Sequence, residues 1–407
     1  MQEQYGASLI RKREYTHFYT YFLMVYFLLA PFEDILNSGI GTLGKYLALV
    51  IAVVGIFESS GRIKISFKEG NLALMYLMVL GLVSCVWAIY PGVTINRNSS
   101  YLMLPGFYLF VSSLEFSEKE YERIVHAAVL GGVLVAGYIL INNQAYTTGR
   151  VSLDEGNDPN NLAALIQLPL AMSFRMAMKK ETKMRPVYIA IVALTLFVLL
   201  LTGSRGGMIS TAVFFLACFL FSKAYKKIGM FAGLVILVIV IWQFVLPALP
   251  EDISARLFET DYDAEMETGS RAVIWRVVFR YLLPKTPAYG VGAGCAPYAL
   301  MEWFPAGKAV HNTYICMICE YGVLGLPFFL GFLWIKLRKQ IKMSHYTEAS
   351  LMLCIFVTIF FLDSYAKKFF WNVMMLAAIA DKAGEAQTAE LSAAAEDCAE
   401  PIDENRV

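Results

Sequence analysis

The sequence predicts an all-α polytopic membrane protein with about twelve transmembrane helices. Of its 407 residues, 58% are hydrophobic and only 16% are charged, and the mean hydropathy is +0.55. Such a composition is typical of chains whose helices face lipid. The formal net charge of +1 provides no strong field for a polyanion, so we expect no nucleic-acid partner.

Twelve apolar runs supply the predicted helices, because a helix needs about 20 mostly apolar residues to cross a bilayer core. They lie near residues 16–33, 39–57, 71–89, 98–114, 123–141, 159–177, 186–202, 206–222, 228–246, 310–335, 346–363 and 367–381. No small-residue cleavage site follows the first run, so we expect it to be a retained span rather than a removed signal peptide.

Basic residues predict the orientation, because cytoplasmic loops of membrane proteins are enriched in Lys and Arg. With the amino terminus in the cytoplasm, the inner segments hold twenty basic residues. The short outer loops hold five, namely Arg97, Arg150, Arg205, Lys367 and Lys368. We therefore expect both termini in the cytoplasm, with Lys367 and Lys368 on the disfavoured side.

Two segments depart from the pattern of short loops. Residues 247–309 form a long outer segment of ordinary polarity, which we expect to fold against the membrane. Residues 383–407 are acidic and almost free of aromatics, which predicts a disordered cytoplasmic tail. The predicted organisation is an amino-terminal bundle of about nine spans (1–246), the outer segment (247–309), the carboxy-terminal spans (310–382) and the tail (383–407).

The most informative loop is Ser204-Arg205-Gly206-Gly207, at the outer start of the eighth span. A helix that starts there presents free N–H groups and the positive end of its dipole outward. We expect Gly206 and Gly207 to let a ligand approach the backbone. The forked guanidinium of Arg205 suits a phosphate or diphosphate. The alternative is a tight turn whose arginine reaches lipid headgroups.

The sixth span also begins outside, at Asp158-Pro159-Asn160-Asn161. Capping explains Asp158 and Pro159, which fit the N-cap and the first helical position. The clustered amides of Asn160 and Asn161 suit sugar hydroxyls. Arg150 lies just upstream. We take Arg150, Asp158, Asn160 and Asn161 as candidate substrate-binding residues.

The tenth span begins with His311-Asn312, and His311 is the only histidine that this topology places outside. A helix N-terminus disfavours the imidazolium, so His311 should be neutral and able to accept a proton. Glu320 lies about 13 Å deeper along the helix. A carboxylate at that depth is functional or paired. We expect Glu320 to anchor an arginine, and we keep it and Asn312 among the binding candidates.

Within the outer segment, the run from Thr268 reads as a short amphipathic helix capped by Ser270. Arg276 and Arg280 share one face of it, and Arg271 is roughly 140° away around the helix. We therefore expect Arg271 to face a cavity, and Arg276 and Arg280 to contact headgroups. The downstream Gly290-Val-Gly292-Ala-Gly294 predicts a flexible loop.

Together these motifs resemble those of the O-antigen ligase and polymerase family, bacterial membrane glycosyltransferases that use a polyprenyl-diphosphate-linked glycan. Order and spacing agree from about residue 150 to 335, and the first five spans match only in hydropathy. The matching pieces are Asp158-Pro159-Asn160, Ser204-Arg205-Gly206-Gly207, Ser270-Arg271 with Trp275, Gly290-Val-Gly292, and His311-Asn312 followed by Glu320-Tyr-Gly322 and Gly325.

The resemblance implies a GT-C-like fold in a bacterial inner membrane and an inverting, metal-independent transfer without cofactors. The donor would be a glycan on undecaprenyl diphosphate, and the acceptor would be a hydroxyl of a glycan or glycolipid. Arg205, Arg271 and His311 map to the family's catalytic positions, with Ser204, Gly206 and Gly207 beside them. Chain-length or export proteins are further expected partners. The sequence leaves polymerase and ligase equally open.

Two other classes of protein remain alternatives. A polyprenyl-linked glycan flippase or other transporter predicts charged residues along a path through many spans, whereas here the polar residues concentrate at one membrane face. We also find no internal repeat of the kind that builds many transporters. The second alternative is a structural or sensor membrane protein.

Overall fold

The computed structural model describes residues 16–32, 35, 43–59, 63, 65–142, 150–153, 158–179, 182–222, 243, 253–254 and 270–399. Within these ranges the chain is helical, without β-strands. The helices are α1 Phe18–Leu29, α2 Leu43–Glu58, α3 Asn71–Val83, α4 Pro91–Val111, α5 Glu118–Asn142, α6 Pro159–Ala177, α7 Arg185–Leu201, α8 Arg205–Phe221, α9 Arg271–Val277, α10 Ala296–Ala299, α11 Thr313–Lys342, α12 Tyr346–Phe361 and α13 Lys368–Ala399.

Eleven of the twelve predicted spans coincide with helices α1–α8 and α11–α13. The remaining span, near 228–246, lies outside the described residues apart from residue 243, as does most of the outer segment before Ser270. Two described helices, α5 and α11, are long and apolar enough to cross a membrane by length and composition, and five other apolar helices are shorter. The all-α prediction is confirmed, and the number of spans stays a prediction.

Helix α13 departs from the predicted tail. It continues through Ala399, so residues 383–399 are helical rather than disordered. Alanine and glutamate dominate this stretch, and both favour helix. Residues 400–407 lie outside the described part of the chain.

The first turns of α13 form the centre of the bundle. Trp371 is fully buried, and its indole N–H donates to the carbonyl of Tyr365 at 2.7 Å. Its ring packs against Tyr108 of α4 and Phe332 of α11, with ring centroids 5.8 and 6.2 Å away. Large aromatic side chains carry much of the burial free energy of such a core. They fix the start of α13 between α4 and α11.

Four helices begin with an oxygen-bearing N-cap, the residue type that satisfies the free N–H groups of a first turn. The caps of α6 and α9 were predicted from the sequence and are confirmed. In each cap the side-chain oxygen accepts a hydrogen bond from a backbone N–H of the first turn. Asp158 accepts from Asn160 at 2.9 Å, Ser204 from Gly207 at 3.1 Å, Ser270 from Val273 at 3.4 Å, and Asn312 from Ile315 at 3.0 Å.

Helix α11 is broken at Gly322, which has φ 60° and ψ −149°. The loop at 288–292 fills the break with its own backbone. Val291 N–H donates to Cys319 O at 2.9 Å, and Gly292 N–H donates to Glu320 O at 3.0 Å. These bonds satisfy carbonyls that the interrupted helix leaves free. The glycine-rich loop is therefore buried and held in place, which corrects the prediction that it is flexible.

Replacing Gly322 with alanine should prevent correct folding. A Cβ there would lie 1.8 Å from the carbonyl oxygen of Ala288, and the backbone has a positive φ that alanine disfavours. We expect a loss of more than about 4 kcal/mol of stability. The measurement is the yield of monodisperse protein after size-exclusion chromatography. Gly331→Ala in the same helix is the matched control, because a Cβ there meets nothing within 4 Å. Equal yields of the two variants would contradict the description of the break.

The predicted orientation can be tested by labelling cysteines introduced into loops on the two sides of the membrane. Ser152 precedes α6 and Ala306 precedes α11, whereas Thr182 lies between the end of α6 and the start of α7. Cysteines placed at 152 and 306 should react with an impermeant thiol reagent in intact cells, with any outer membrane permeabilised. A cysteine at 182 should not react. The unsubstituted protein is the control for its native thiols. Reaction at 182 alone would invert the topology.

Candidate active site

The starts of α6, α8 and α11 meet at one end of the bundle, which we call the site end. Ser204 Oγ donates to Asn160 Oδ1 at 2.7 Å and so ties the start of α8 to the start of α6. Thr313, at the start of α11, donates to the carbonyl of Leu362 at 2.8 Å and accepts from Ser364 N–H at 2.8 Å. The loop after α12 is thereby fixed to the start of α11.

Four predicted binding residues share one hydrogen-bond network. Asn160 Nδ2 donates to Asp158 Oδ1 at 2.7 Å. Arg150 Nε donates to the carbonyl of Thr202 at 3.0 Å, and its Nη2 reaches Asn160 Oδ1 at 3.5 Å. Ser204 is 2% exposed. The sequence analysis placed these residues in two motifs at the same membrane face. The structure shows that Asn160 uses both ends of its amide within the protein, as a clip between two helix starts.

Gly206 and Gly207 have packing roles, which corrects the expectation that they leave room for a ligand. A Cβ at Gly206 would lie 2.8 Å from the ring of Phe361, so α8 approaches α12 closely there. A Cβ at Gly207 would lie 2.8 Å from the Cβ of Ala163 in α6. Contacts this short are tighter than side chains normally allow. The two glycines therefore set where Arg205 stands by letting the first turn of α8 pack against its neighbours.

His311 lies immediately before the cap of α11 and has a positive φ of 52°. Burial lowers its pKa from the ordinary value of 6.5, and the cation of Arg271 lowers it further. The carboxylates of Asp158 and Asp363 oppose this shift. The imidazole is therefore neutral near pH 7 and lies within electrostatic reach of all three charges. The sequence predicted this neutrality from a helix N-terminus, whereas burial and Arg271 are its main causes.

Helix α9 carries Arg271 as its first residue and is pinned beside His311. The indole N–H of Trp275 donates to the carbonyl of Val310 at 2.9 Å. Ile274 is buried in a cluster with Val310 and Ile315. The sequence predicted that Arg271 faces a cavity and that Arg276 faces lipid headgroups. The exposures agree with this difference, since Arg271 is partly buried while Arg276 is exposed. A seven-residue helix is thus held by packing against the residues on both sides of His311.

Asp363 belongs to this group, and sequence reasoning gave it no role. It lies in the loop between α12 and α13. Burial by surrounding protein raises its pKa, although part of its surface remains accessible, and the Arg97 cation is the strongest opposing influence. His311 and Lys367 act on it in the same direction as Arg97. One sequence signal could have identified Asp363: it is an acidic residue at the end of an apolar run, shortly before the two lysines that the topology places outside.

Glu320 is 1% exposed and is bonded within the protein, which corrects its assignment as a substrate-binding residue. Tyr101 Oη donates to its carboxylate at 3.0 Å, and the Gly294 N–H is a second donor. Arg97 lies within electrostatic reach, which agrees in part with the expected arginine partner. Glu320 therefore anchors α4 and the 290–294 loop to α11.

Asn312 is also 1% exposed. Its Oδ1 caps α11, and its buried Nδ2 has no hydrogen-bond partner among the described residues. An unpaired buried amide is costly, so it marks a position for a further acceptor atom.

Two cavities open at the site end. The first, which we call the lysine cavity, has a volume of about 270 Å³. Three amines line it, together with two of the predicted binding residues and the apolar side chains of α1, α4 and α6. The polar members are Lys45, Lys367, Lys368, Asp158, Asn161, Asn372 and Ser100, and the apolar members include Phe27, Leu104, Leu162, Leu165, Leu168 and Phe369.

The second cavity, which we call the arginine cavity, has a volume of about 570 Å³. It lies between α4 and residues 294–309, and its polar residues are Arg97, Asn96, Ser100, Tyr298 and Lys308. A Cβ at Gly294 would lie 2.7 Å from Cγ of Arg97, so this glycine makes room for the arginine stem.

The two cavities meet on α4, because Ser100 lines both. His311 interacts electrostatically with Asp158, which lines the lysine cavity, and with Lys308, which lines the arginine cavity. Among the described residues that line the cavities, Arg205, Arg271 and His311 are absent. The histidine therefore belongs to neither lining but is within electrostatic reach of both.

Within the part of the chain that the structure describes, no three His, Cys, Asp or Glu side chains cluster as metal ligands.

Residues 190–330 match the family model described as O-antigen ligase. The matched range includes Ser204, Arg205, Arg271, His311 and Glu320, and it excludes the start of α6 and the loop after α12. No curated protein matches the chain significantly. Such a family suggests a membrane enzyme that processes glycans. Residues 190–330 are therefore similar to the O-antigen ligase family, a family of bacterial membrane proteins.

Proposed function

We propose that the protein transfers a glycan from a polyprenyl diphosphate to an acceptor hydroxyl on the extracytoplasmic face of the bacterial inner membrane. One observation carries the proposal above the others. A neutral histidine within electrostatic reach of Arg271 and Asp363 also interacts with one lining residue of each of two chemically different cavities, Asp158 in the first and Lys308 in the second. That arrangement suits a proton acceptor between a donor and an acceptor substrate.

The lysine cavity suits the donor lipid. Its apolar walls match a polyprenyl chain, and the amines of Lys45, Lys367 and Lys368 match a diphosphate. An amphipathic ligand of this kind binds where apolar helices meet a charged rim. Lysines on the side that the insertion bias disfavours are explained if they hold a substrate anion.

The chemistry is a single displacement. The acceptor hydroxyl attacks the anomeric carbon, the bond from that carbon to the diphosphate oxygen breaks, and the lipid diphosphate leaves with inversion. His311 accepts the hydroxyl proton. Negative charge grows on the leaving diphosphate, so cations fixed in advance supply the largest stabilisation. We assign Arg205 and Arg271 to that role and expect no requirement for a divalent metal.

A flippase remains the second candidate function. It needs a polar route through the bundle, yet the charges at the end opposite the site are engaged with one another. Arg175 is 3.1 Å from Glu348. Lys339 lies within 3.6 Å of Glu69, Asp381 and Glu385. Such networks neutralise charge locally rather than form a path.

The test is purified protein in liposomes, supplied with a polyprenyl-diphosphate oligosaccharide and a glycan acceptor. The proposal expects a product whose mass is the sum of acceptor and donor glycan. Movement of the donor across the bilayer without any such product would favour the flippase. A product that extends a lipid-linked glycan identifies a polymerase, and transfer to a final glycolipid carrier identifies a ligase.

A further inference from the structure

The arginine cavity is a built recognition site that the transfer chemistry does not itself explain. Arg97 is exposed into it, and its guanidinium lies over the ring of Tyr101 at 5.8 Å. Lys308 is exposed on the facing segment. Tyr298 presents an aromatic face, held by its contact with Tyr90 at a centroid distance of 5.4 Å. Cations, hydroxyls, amides and an aromatic ring are the groups that bind charged sugars.

The charge of its lining favours anionic ligands in the arginine cavity. Among the described residues that line it, Arg97 and Lys308 are cations and none is an acid. Asp363 and Glu320 act on Arg97 electrostatically, and neither belongs to the described lining. Two cations in a concave site favour an anionic ligand, and a guanidinium favours a planar carboxylate or a phosphate. A neutral glycan would bring no anion to these two cations.

The donor diphosphate is the competing source of such an anion, and the walls distinguish the two. The lysine cavity is lined by many large apolar side chains of helices, whereas the apolar residues of the arginine cavity are Val93, Met301 and the smaller Pro297, Ala306 and Ala309. A polyprenyl chain gains little from the second surface. The volume of about 570 Å³ is within the range of ordinary ligand sites.

We infer that the acceptor is an acidic glycan, whose carboxylate or phosphate group is bound by Arg97 and Lys308 in the arginine cavity. This inference rests on the proposed function for the identity of the ligand as an acceptor. Lys308, which lines this cavity, is also within electrostatic reach of His311. A glycan held by its anionic group at Arg97 and Lys308 is therefore bound near the proton acceptor. Arg97 and Lys308 are specificity residues in this account.

The experiment compares binding and turnover with matched probes. Purified protein in nanodiscs is titrated with a disaccharide that contains a hexuronic acid and with its neutral hexose counterpart. The variants are Arg97→Gln, which keeps the stem that packs on Gly294, and Lys308→Gln. The control is Lys285→Gln, an exposed cation of the same segment that pairs with Glu302 at 3.1 Å and lies outside both described cavity linings. Donor lipid binding is measured in parallel.

The wild-type protein should bind the acidic probe at least tenfold more tightly than the neutral one. Arg97→Gln should remove about tenfold of that preference or more, on the scale of one charge-assisted hydrogen bond. Lys285→Gln should keep it. Equal binding of the two probes by the wild-type protein would overturn the inference. It would also be overturned if Arg97→Gln lost binding of the donor lipid but kept binding of the acidic probe. Because the binding arm needs no transfer, acidic-probe selectivity without product would refute the proposed function alone.

Discussion

Replacing Arg205 or Arg271 with alanine should abolish glycan transfer while the protein still inserts and folds. Each guanidinium is assigned to the leaving diphosphate, where charge develops in the transition state. Losing one such donor costs about 3 kcal/mol, or roughly 10²–10³ in turnover. Arg271→Ala carries an additional penalty, because the Arg271 cation helps to lower the pKa of His311. The measurement is initial transfer rate at saturating acceptor, alongside the size-exclusion profile.

Two further variants test whether geometry or charge alone matters. Arg205→Lys should rescue poorly, because an ammonium lacks the planar fork that engages two oxygens of a diphosphate. Arg276→Ala is the matched control from α9 and should be milder, since that side chain is exposed on another face. Near-normal activity in both Arg205→Ala and Arg271→Ala would refute the diphosphate clamp.

Replacing His311 with alanine should lower turnover by roughly 10²–10⁴, the range of a positioned acid–base group. Donor lipid binding should be nearly unchanged, because the cations hold the diphosphate. His126→Ala, in an exposed histidine of α5, should leave the rate unaltered. A loss of donor binding in proportion to activity would make His311 a phosphate ligand. The proton acceptor would then be sought between Asp158 and Asp363, the two carboxylates that act on His311.

The role of His311 as a base predicts that the transfer rate depends on pH. A base works only in its unprotonated form, so the rate falls as pH drops through its pKa. Burial and Arg271 lower the pKa of His311 below the ordinary 6.5, so the acid limb of kcat/KM should lie below pH 6.5. An acid limb above pH 6.5 would contradict this environment for His311.

The helices and their starts were predictable because their signals are local. Apolar runs and the caps Asp158 and Ser270 stand within a few residues of the boundaries they determine. The grouping of Arg150, Asn160 and Ser204 also followed, since each was assigned to the same membrane face.

The cavities and the roles of the glycines were not predictable, because tertiary packing creates them. Lys45 of α2 and Lys367, just before α13, are far apart in the sequence and line the same cavity because α2 and α13 both pack against α4. Nothing in the local sequence distinguishes a glycine that admits a ligand from Gly206, which admits Phe361. The break in α11 likewise depends on a distant loop that supplies Ala288 and Val291.

The central claim is that a glycosidic bond forms at the expense of a lipid diphosphate. The most direct measurement counts released polyprenyl diphosphate and new glycosidic bonds in the same reaction, with purified protein and EDTA present. The account predicts one lipid diphosphate for each bond, inversion at the anomeric carbon, and loss of both products in His311→Ala. Bond formation without lipid diphosphate release, or donor translocation with neither product, would contradict it.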